Sequence, residues 1–184
     1  MYQPDKFIMF KIFKKSYLIL LLLSCLVFVR CSNRDDSNIN FPKALGDLTL
    51  SKIVQDEEAT KIINKMHGKK LGVRNNYIAH YGSSFLKNAL YVSVYENAEK
   101  AKTDLMDMAM KMAKGSAVFA PLTYSGMGDK VYFQTEGMGH KHYFYRVDNI
   151  LIWWQVEPDQ AEATYKDLLA FDFTALKETV EGSK

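Results

Sequence analysis

The chain has 184 residues, of which 48% are hydrophobic and 24% are charged, and its formal net charge is +3. This composition excludes a disordered, a collagen-like and a multi-span membrane protein. Residues 1–30 hold five of the 24 basic and one of the 21 acidic residues, so the remaining 154 carry 19 basic and 20 acidic residues. A body that is close to neutral lacks the basic footprint of a nucleic-acid-binding protein.

The N-terminal segment has the pattern of an export signal. Lysines between residues 11 and 15 precede an apolar run over residues 17–29, which is shorter than the roughly 20 residues that a membrane-spanning helix needs. A basic region followed by a short apolar run is typical of secretory signals. Both cysteines, Cys25 and Cys31, lie in or just after this run. The sequence of the body therefore offers no disulfide and no cysteine-ligated metal site.

A cysteine that ends such a run resembles the signal of bacterial lipoproteins, in which that cysteine receives the lipid and becomes the mature N-terminus. The motif Leu22-Leu23-Ser24-Cys25 carries the small residue expected before the cysteine, so the resemblance implies lipid attachment at Cys25. Cys31 is an alternative, because a polar stretch follows it, although Arg30 precedes it. An uncleaved signal-anchor is the other alternative.

These features predict three parts and a location. We expect a lipoprotein-type signal peptide over residues 1–31, a polar tether over 32–42 and a single domain over 43–184. The protein is then expected in the bacterial cell envelope, held at a membrane by its N-terminal lipid, with the domain facing the periplasm or the cell exterior.

Hydrophobic periodicity in the body predicts strands that alternate with amphipathic helices. Strands are predicted at 47–54, 76–81, 89–95, 130–135, 140–147 and 150–157, with a short edge strand at 118–124, where Pro121 argues against a central position. Helices are predicted at 56–67, 98–114 and from Pro158 to about 169, with a short further helix at 174–181. This order indicates an α+β domain: one antiparallel sheet of about five to six strands, with three helices packed mainly on one face.

The predicted hairpin around Asp148-Asn149 determines which side chains share a face. A two-residue turn places Val147 opposite Ile150 and thereby sets the register of both strands. One face is nearly all apolar and is expected to be the core side; it holds Tyr143, Tyr145, Val147, Ile150, Ile152 and Trp154. The other face is mixed aromatic and polar; it holds His140, His142, Phe144, Arg146, Leu151, Trp153, Gln155 and Glu157.

The mixed face is the candidate binding surface. Together with aromatic side chains from other strands it forms what we call the aromatic face, defined by Tyr91, Tyr95, Tyr132, Phe144 and Trp153. Tyr and Trp offer a large apolar area with a polar tip, which suits an apolar ligand or a partner protein of the envelope. The alternative is that a loop, the C-terminal segment or a second protomer covers this face.

A second candidate is a metal site on the same hairpin. His140 and His142 lie two residues apart on one strand face, and the register adds Glu157 opposite His140. Two imidazoles and a carboxylate are a usable ligand set for zinc, copper or iron, and Met138 has the parity to ligate Cu(I). The alternative is that these are solvated side chains at the end of a strand.

The remaining motifs favour a binding module over an enzyme. The series Met106, Met108, Met110 and Met112 resembles a copper-binding box, but helical spacing places Met108 and Met112 in the core stripe, and Met is a common core filler. The sequence contains no Gly-x-Ser-x-Gly elbow, phosphate loop or His-Glu-x-x-His motif. We therefore expect no catalytic residues and no cofactor, with copper or zinc as the alternative.

Overall fold

The computed structural model describes residues 40–84, 87–127, 130–174 and Leu176. The predicted signal peptide, most of the tether, Cys25, Cys31 and most of the predicted 174–181 helix lie outside these residues. Among the residues that the structure does describe, no helix is both long enough and apolar enough to cross a membrane.

The described chain forms eight strands and three α-helices. In chain order these are β1 (Ala44–Leu45), β2 (Leu48–Gln55), α1 (Asp56–His67), β3 (Val73–Tyr81), β4 (Ala89–Tyr95), α2 (Ala98–Met112), β5 (Thr123–Met127), β6 (Lys130–Gly137), β7 (His140–Val147), β8 (Ile150–Val156) and α3 (Ala161–Ala170). The strands form one antiparallel sheet in the order β1-β2-β3-β4-β8-β7-β6-β5. The predicted α+β class with a single sheet is confirmed.

The sheet has more strands than the predicted five to six. The two-residue β1 is too short to show a hydrophobic period, so the sequence pattern missed it. The predicted edge strand at 118–124 lies further along the chain, since β5 begins at Thr123. Pro121 cannot donate to a ladder, and before it only Phe119 forms an isolated bridge, to Gly137.

The hairpin of β7 and β8 has the predicted register. Asp148 adopts a left-handed φ of 52° in the turn, and Val147 pairs with Ile150. The pairing continues without a shift to Lys141 and Val156. Because side chains alternate along a strand, this register separates the two faces of the sheet as the sequence predicts.

The helices pack on both faces of the sheet. α3 covers the apolar face, where Trp154 is fully buried and its indole N–H donates to Thr164 Oγ1 at 3.1 Å. α1 and α2 cover the opposite face in two smaller clusters centred on Ile63 and Leu105. The predicted placement of helices mainly on one face therefore holds for α1 and α2 but not for α3. α3 follows β8 in the chain and packs on the other face of the sheet.

Candidate binding groove

An aromatic stack on the inner strands forms the floor of the site. Phe144 is fully buried, and its ring stacks on Trp153 with centroids 5.1 Å apart and on Phe133 with centroids 5.4 Å apart. Strand pairing sets this arrangement, because Phe144 lies opposite Trp153 on β8 and opposite Phe133 on β6. The floor is therefore apolar, and stacking on both sides holds the Phe144 ring in place.

His142 lies at one end of the stack and uses both ring nitrogens in hydrogen bonds. The indole N–H of Trp153 donates to Nδ1 at 3.0 Å, and Nε2 lies 3.1 Å from the carbonyl oxygen of Gly137. Since Nδ1 accepts, Nε2 must carry the proton, and the imidazole is neutral. Burial lowers the pKa of His142; the hydrogen bond to Gly137 opposes this shift and His140 adds to it.

The segment after α2 closes the same end of the site. The Phe119 ring packs edge-on against His142, with centroids 5.2 Å apart, and against Trp153 at 6.3 Å. Ser116 Oγ accepts the backbone N–H groups of Val118 and Phe119 at 3.2 and 3.1 Å. Gly137 lies directly beneath, where an added Cβ would come within 2.3 Å of the Phe119 ring.

A groove of about 320 Å³ remains between this floor and the two covering helices. The C-terminal end of α1 and the flank of α2 form its walls, and Phe119 and Met138 lie at one side. We call it the methionine groove because four thioethers line it: Met66, Met108, Met112 and Met138. The remaining lining residues are His67, Lys69, Tyr95, Asp104, Asp107, Lys111, Phe119, His142, Leu151, Trp153 and Gln155.

A small polar network borders the apolar part of the groove. Asp104 on α2 accepts hydrogen bonds from Lys69 Nζ and from the Tyr95 hydroxyl, each at 2.9 Å. Burial raises the pKa of Asp104, but these two hydrogen bonds together with the charges of Lys69 and His67 outweigh burial, and the net pKa is below the ordinary value. Burial, reinforced by Asp104, raises the pKa of Tyr95. Both groups therefore keep their usual protonation at neutral pH.

His67 ends α1 and borders the groove. Gly68 follows in the left-handed conformation with φ 64°, which is a common way for a helix to end. Burial lowers the pKa of His67, and Lys69 and Lys111 add to this while Asp104 opposes it. No described residue gives either nitrogen of His67 a hydrogen-bond partner, so its donor and its acceptor both remain available to a ligand.

Four of the five residues of the predicted aromatic face lie on one face of the sheet. Tyr95 and Trp153 line the groove, Phe144 lies beneath it, and Tyr91 packs under α1. The prediction for Tyr132 was wrong, because Tyr132 lies on the opposite face against Tyr145, with ring centroids 5.1 Å apart. Phe133 takes the predicted position, since β6 pairs with β7 through the two-residue turn Met138-Gly139.

The structure does not group the three predicted metal ligands into one site. Both nitrogens of His142 are hydrogen-bonded, and His140 Nδ1 lies 2.8 Å from the Met138 carbonyl oxygen. Glu157 follows the end of β8 and forms an ion pair with Lys87 at 2.7 Å. Within the described residues, no three His, Cys, Asp or Glu side chains are grouped so that they could hold a metal ion. The geometry therefore does not support a site made of His140, His142 and Glu157.

The interpretation of the methionine series is consistent with the structure. Met108 is buried and Met112 is half-buried in the cluster beneath α2, whereas Met106 and Met110 are exposed. Sequence reasoning did not predict the groove positions of Met66 and Phe119. Met66 lies near the end of α1 and is 51% exposed, so this part of the helix extends past the core.

No protein-family model, no curated protein and no solved structure matches this chain.

Proposed function

We propose that this protein is an exported, lipid-anchored component of the bacterial envelope that binds an apolar group of a ligand or partner in the methionine groove. It acts as a binding module and not as an enzyme. The single observation that supports the proposal is the groove itself. The sheet face that the sequence marks as aromatic is covered by two helices, and an open apolar cavity of about 320 Å³ remains above Trp153.

The chemistry of the lining suits the binding of an apolar group. Thioether side chains are unbranched and polarisable, so they adapt to the shape of a ligand and make favourable contacts with aromatic rings. Trp153 adds a flat surface whose orientation is held by its bond to His142. A concave, mostly apolar site with a few placed polar groups is the usual form of a ligand site.

Two polar groups of the groove, Asp104 and His142, are suited to binding rather than catalysis. Asp104 is held by Lys69 and Tyr95, and His142 is held by Trp153 and Gly137. A general acid or base must exchange a proton with a substrate, and Asp104 and His142 are already hydrogen-bonded within the protein. His67, whose nitrogens have no hydrogen-bond partner among the described residues, is suited to orienting a polar end of the bound molecule.

Photo-crosslinking in cells tests the proposal and captures whatever molecule occupies the groove. We would introduce benzoylphenylalanine into the full chain at Met66 or Met138, which line the groove and are 51% and 62% exposed. The matched control is Met110, which is 64% exposed on α2 and does not line the groove. We expect adducts of one defined mass at positions 66 and 138, and none of that mass at position 110.

The same experiment can contradict the proposal. If positions 66 and 138 give no adduct, or give the same adducts as position 110, the groove is not a binding site. Mass spectrometry of the adduct distinguishes a small apolar molecule from a partner polypeptide.

A further inference from the structure

The methionine groove combines soft ligand atoms with one available imidazole. Met66 and His67 come from the end of α1, Met112 comes from α2, and Met138 comes from the turn between β6 and β7. Three separate parts of the fold thus direct metal-ligating side chains toward one cavity. Thioether sulfur and imidazole nitrogen are ligands that suit Cu(I).

We propose that the methionine groove binds a monovalent soft metal ion of the Cu(I) type through the imidazole of His67 and the thioethers of Met66, Met112 and Met138. This goes beyond the binding of an apolar group, because the metal requires sulfur and nitrogen atoms and not merely apolar surface. Met108 is excluded from the ligand set because it is buried in the cluster beneath α2.

The hydrogen bonds of the site select His67 over His142. Trp153 and Gly137 occupy the two ring nitrogens of His142, so a metal would have to break one of these bonds. Among the described residues nothing competes for the nitrogens of His67. The imidazole also stands at the C-terminal end of α1, where the helix dipole carries partial negative charge and favours a bound cation.

The charged side chains around the groove balance, so the identity of the ligand atoms selects the ion. Lys69 and Lys111 line the groove, and Asp104 and Asp107 line it as well. The ion pair of Lys69 with Asp104, at 2.9 Å, neutralises one charge of each sign. Lys111 and Asp107 add one further charge of each sign. Zn²⁺ is bound by thiolate, imidazole and carboxylate groups, whereas thioether sulfur suits Cu(I).

Competition with bicinchoninate, a chromogenic Cu(I) chelator, tests the proposal on the full chain in detergent under anaerobic conditions. All proteins carry Cys25→Ser and Cys31→Ser, because free thiols bind Cu(I) in their own right. We expect the chain to withdraw one equivalent of Cu(I) from the chelator and to leave Zn²⁺ in solution. Failure to withdraw Cu(I) would overturn the proposal.

Sulfur-to-carbon substitutions then locate the site. The triple variant Met66→Leu, Met112→Leu and Met138→Leu keeps the apolar volume and should fold, since such exchanges usually cost less than about 1.5 kcal/mol. We expect its Cu(I) affinity to fall at least about tenfold. A loss of that size is already seen when only a residue that hydrogen-bonds to a metal ligand is changed, and here the ligands themselves are removed. His67→Gln should weaken binding as well and provides an independent variant.

The control is the pair Met106→Leu and Met110→Leu, which removes two exposed thioethers of α2 outside the groove and should leave the affinity unchanged. Equal affinity in the wild-type and triple variants, or an equal loss in the control pair, contradicts the site. The leucine variants retain the apolar surface, so photo-crosslinking at an unaltered groove position should persist in them. Loss of Cu(I) binding and loss of apolar binding are therefore distinguishable.

Discussion

His142 shows how a single side chain can stabilise the folded state only while it is neutral. Its Nδ1 accepts the Trp153 indole N–H, and its Nε2–H donates to the Gly137 carbonyl. Protonation of Nδ1 would place two N–H groups against each other in a buried site. Such a conflict costs about as much as an unsatisfied buried polar group. Burial and the hydrogen bond from Trp153 both favour the neutral form, and they outweigh the bond to Gly137, which raises the pKa of His142.

The pH dependence of folding follows from this arrangement. The pKa of His142 in the folded protein lies below the ordinary 6.5, so below pH 6.5 the unfolded chain binds a proton that the folded chain excludes. The free energy of unfolding should therefore fall as the pH drops below 6.5, by at most about 1.4 kcal/mol per pH unit for one proton. His67, whose pKa is also lowered, acts in the same direction.

Urea denaturation between pH 8 and pH 5.5 checks this prediction. His142→Gln should reduce the slope, because the amide can accept from Trp153 and donate to Gly137 without titrating. Trp153→Phe should also reduce it, because the imidazole loses the donor that blocks Nδ1. The prediction fails if His142→Gln keeps the wild-type slope.

At the scale of elements, α2 depends on a side-chain cap that α3 lacks. Asn97 Oδ1 accepts the backbone N–H of Lys100 at 3.0 Å, while Gln160, at the equivalent position of α3, forms no side-chain cap bond. Asn97→Ala should lower the free energy of unfolding by about 1 kcal/mol, since the first turn loses a partner for one N–H group.

Gln160→Ala is the matched control and should change the free energy of unfolding by less than about 0.5 kcal/mol. Urea denaturation of the two variants at one pH makes the comparison. A loss of equal size in both would mean that the cap bond of Asn97 does not contribute to stability.

Local sequence signals predict the elements whose geometry is local. The turn at Asp148-Asn149 predicts every pair of the β7–β8 hairpin, because one two-residue turn sets the whole register. The turn Met138-Gly139 has the same form, with φ values of 52° and 78°, and would have predicted the register of β6. Methionine is unusual in the left-handed conformation, so the sequence does not mark Met138-Gly139 as a two-residue turn. Without that turn the register of β6 was not fixed, and Tyr132 was predicted on the wrong face.

The groove depends on contacts that no local signal carries. Its lining comes from α1, α2, the segment around Phe119 and three strands of the sheet. The sequence identifies Tyr95 and Trp153 because alternation along a strand assigns them a face. The sequence cannot show that α1 and α2 leave a cavity above Trp153. The cavity depends on how two helices that are distant in sequence pack on the sheet.

At the scale of the whole molecule, the charge of the chain divides into two parts with different roles. The excess of positive charge belongs to residues 1–30, and the remainder has 19 basic and 20 acidic residues. Bulk charge therefore gives the folded domain no affinity for an anionic membrane surface. On the proposed function, attachment to the membrane depends on the N-terminal lipid, and recognition depends on the groove.

Metabolic labelling with radioactive palmitate tests the attachment and the position of the lipid. We expect the full chain to incorporate label in bacterial cells and Cys25→Ala to abolish it, because Ser24 supplies the small residue that precedes the lipid-modified cysteine. The matched control, Cys31→Ala, should incorporate label at the wild-type level. Label that persists in Cys25→Ala and disappears in Cys31→Ala would move the attachment to Cys31. An unlabelled wild-type chain that stays in the membrane fraction would instead indicate an uncleaved signal-anchor. With the lipid on Cys25, 15 further residues lead to Asn40. Even a fully extended chain of that length would keep Asn40 within about 50 Å of the membrane surface.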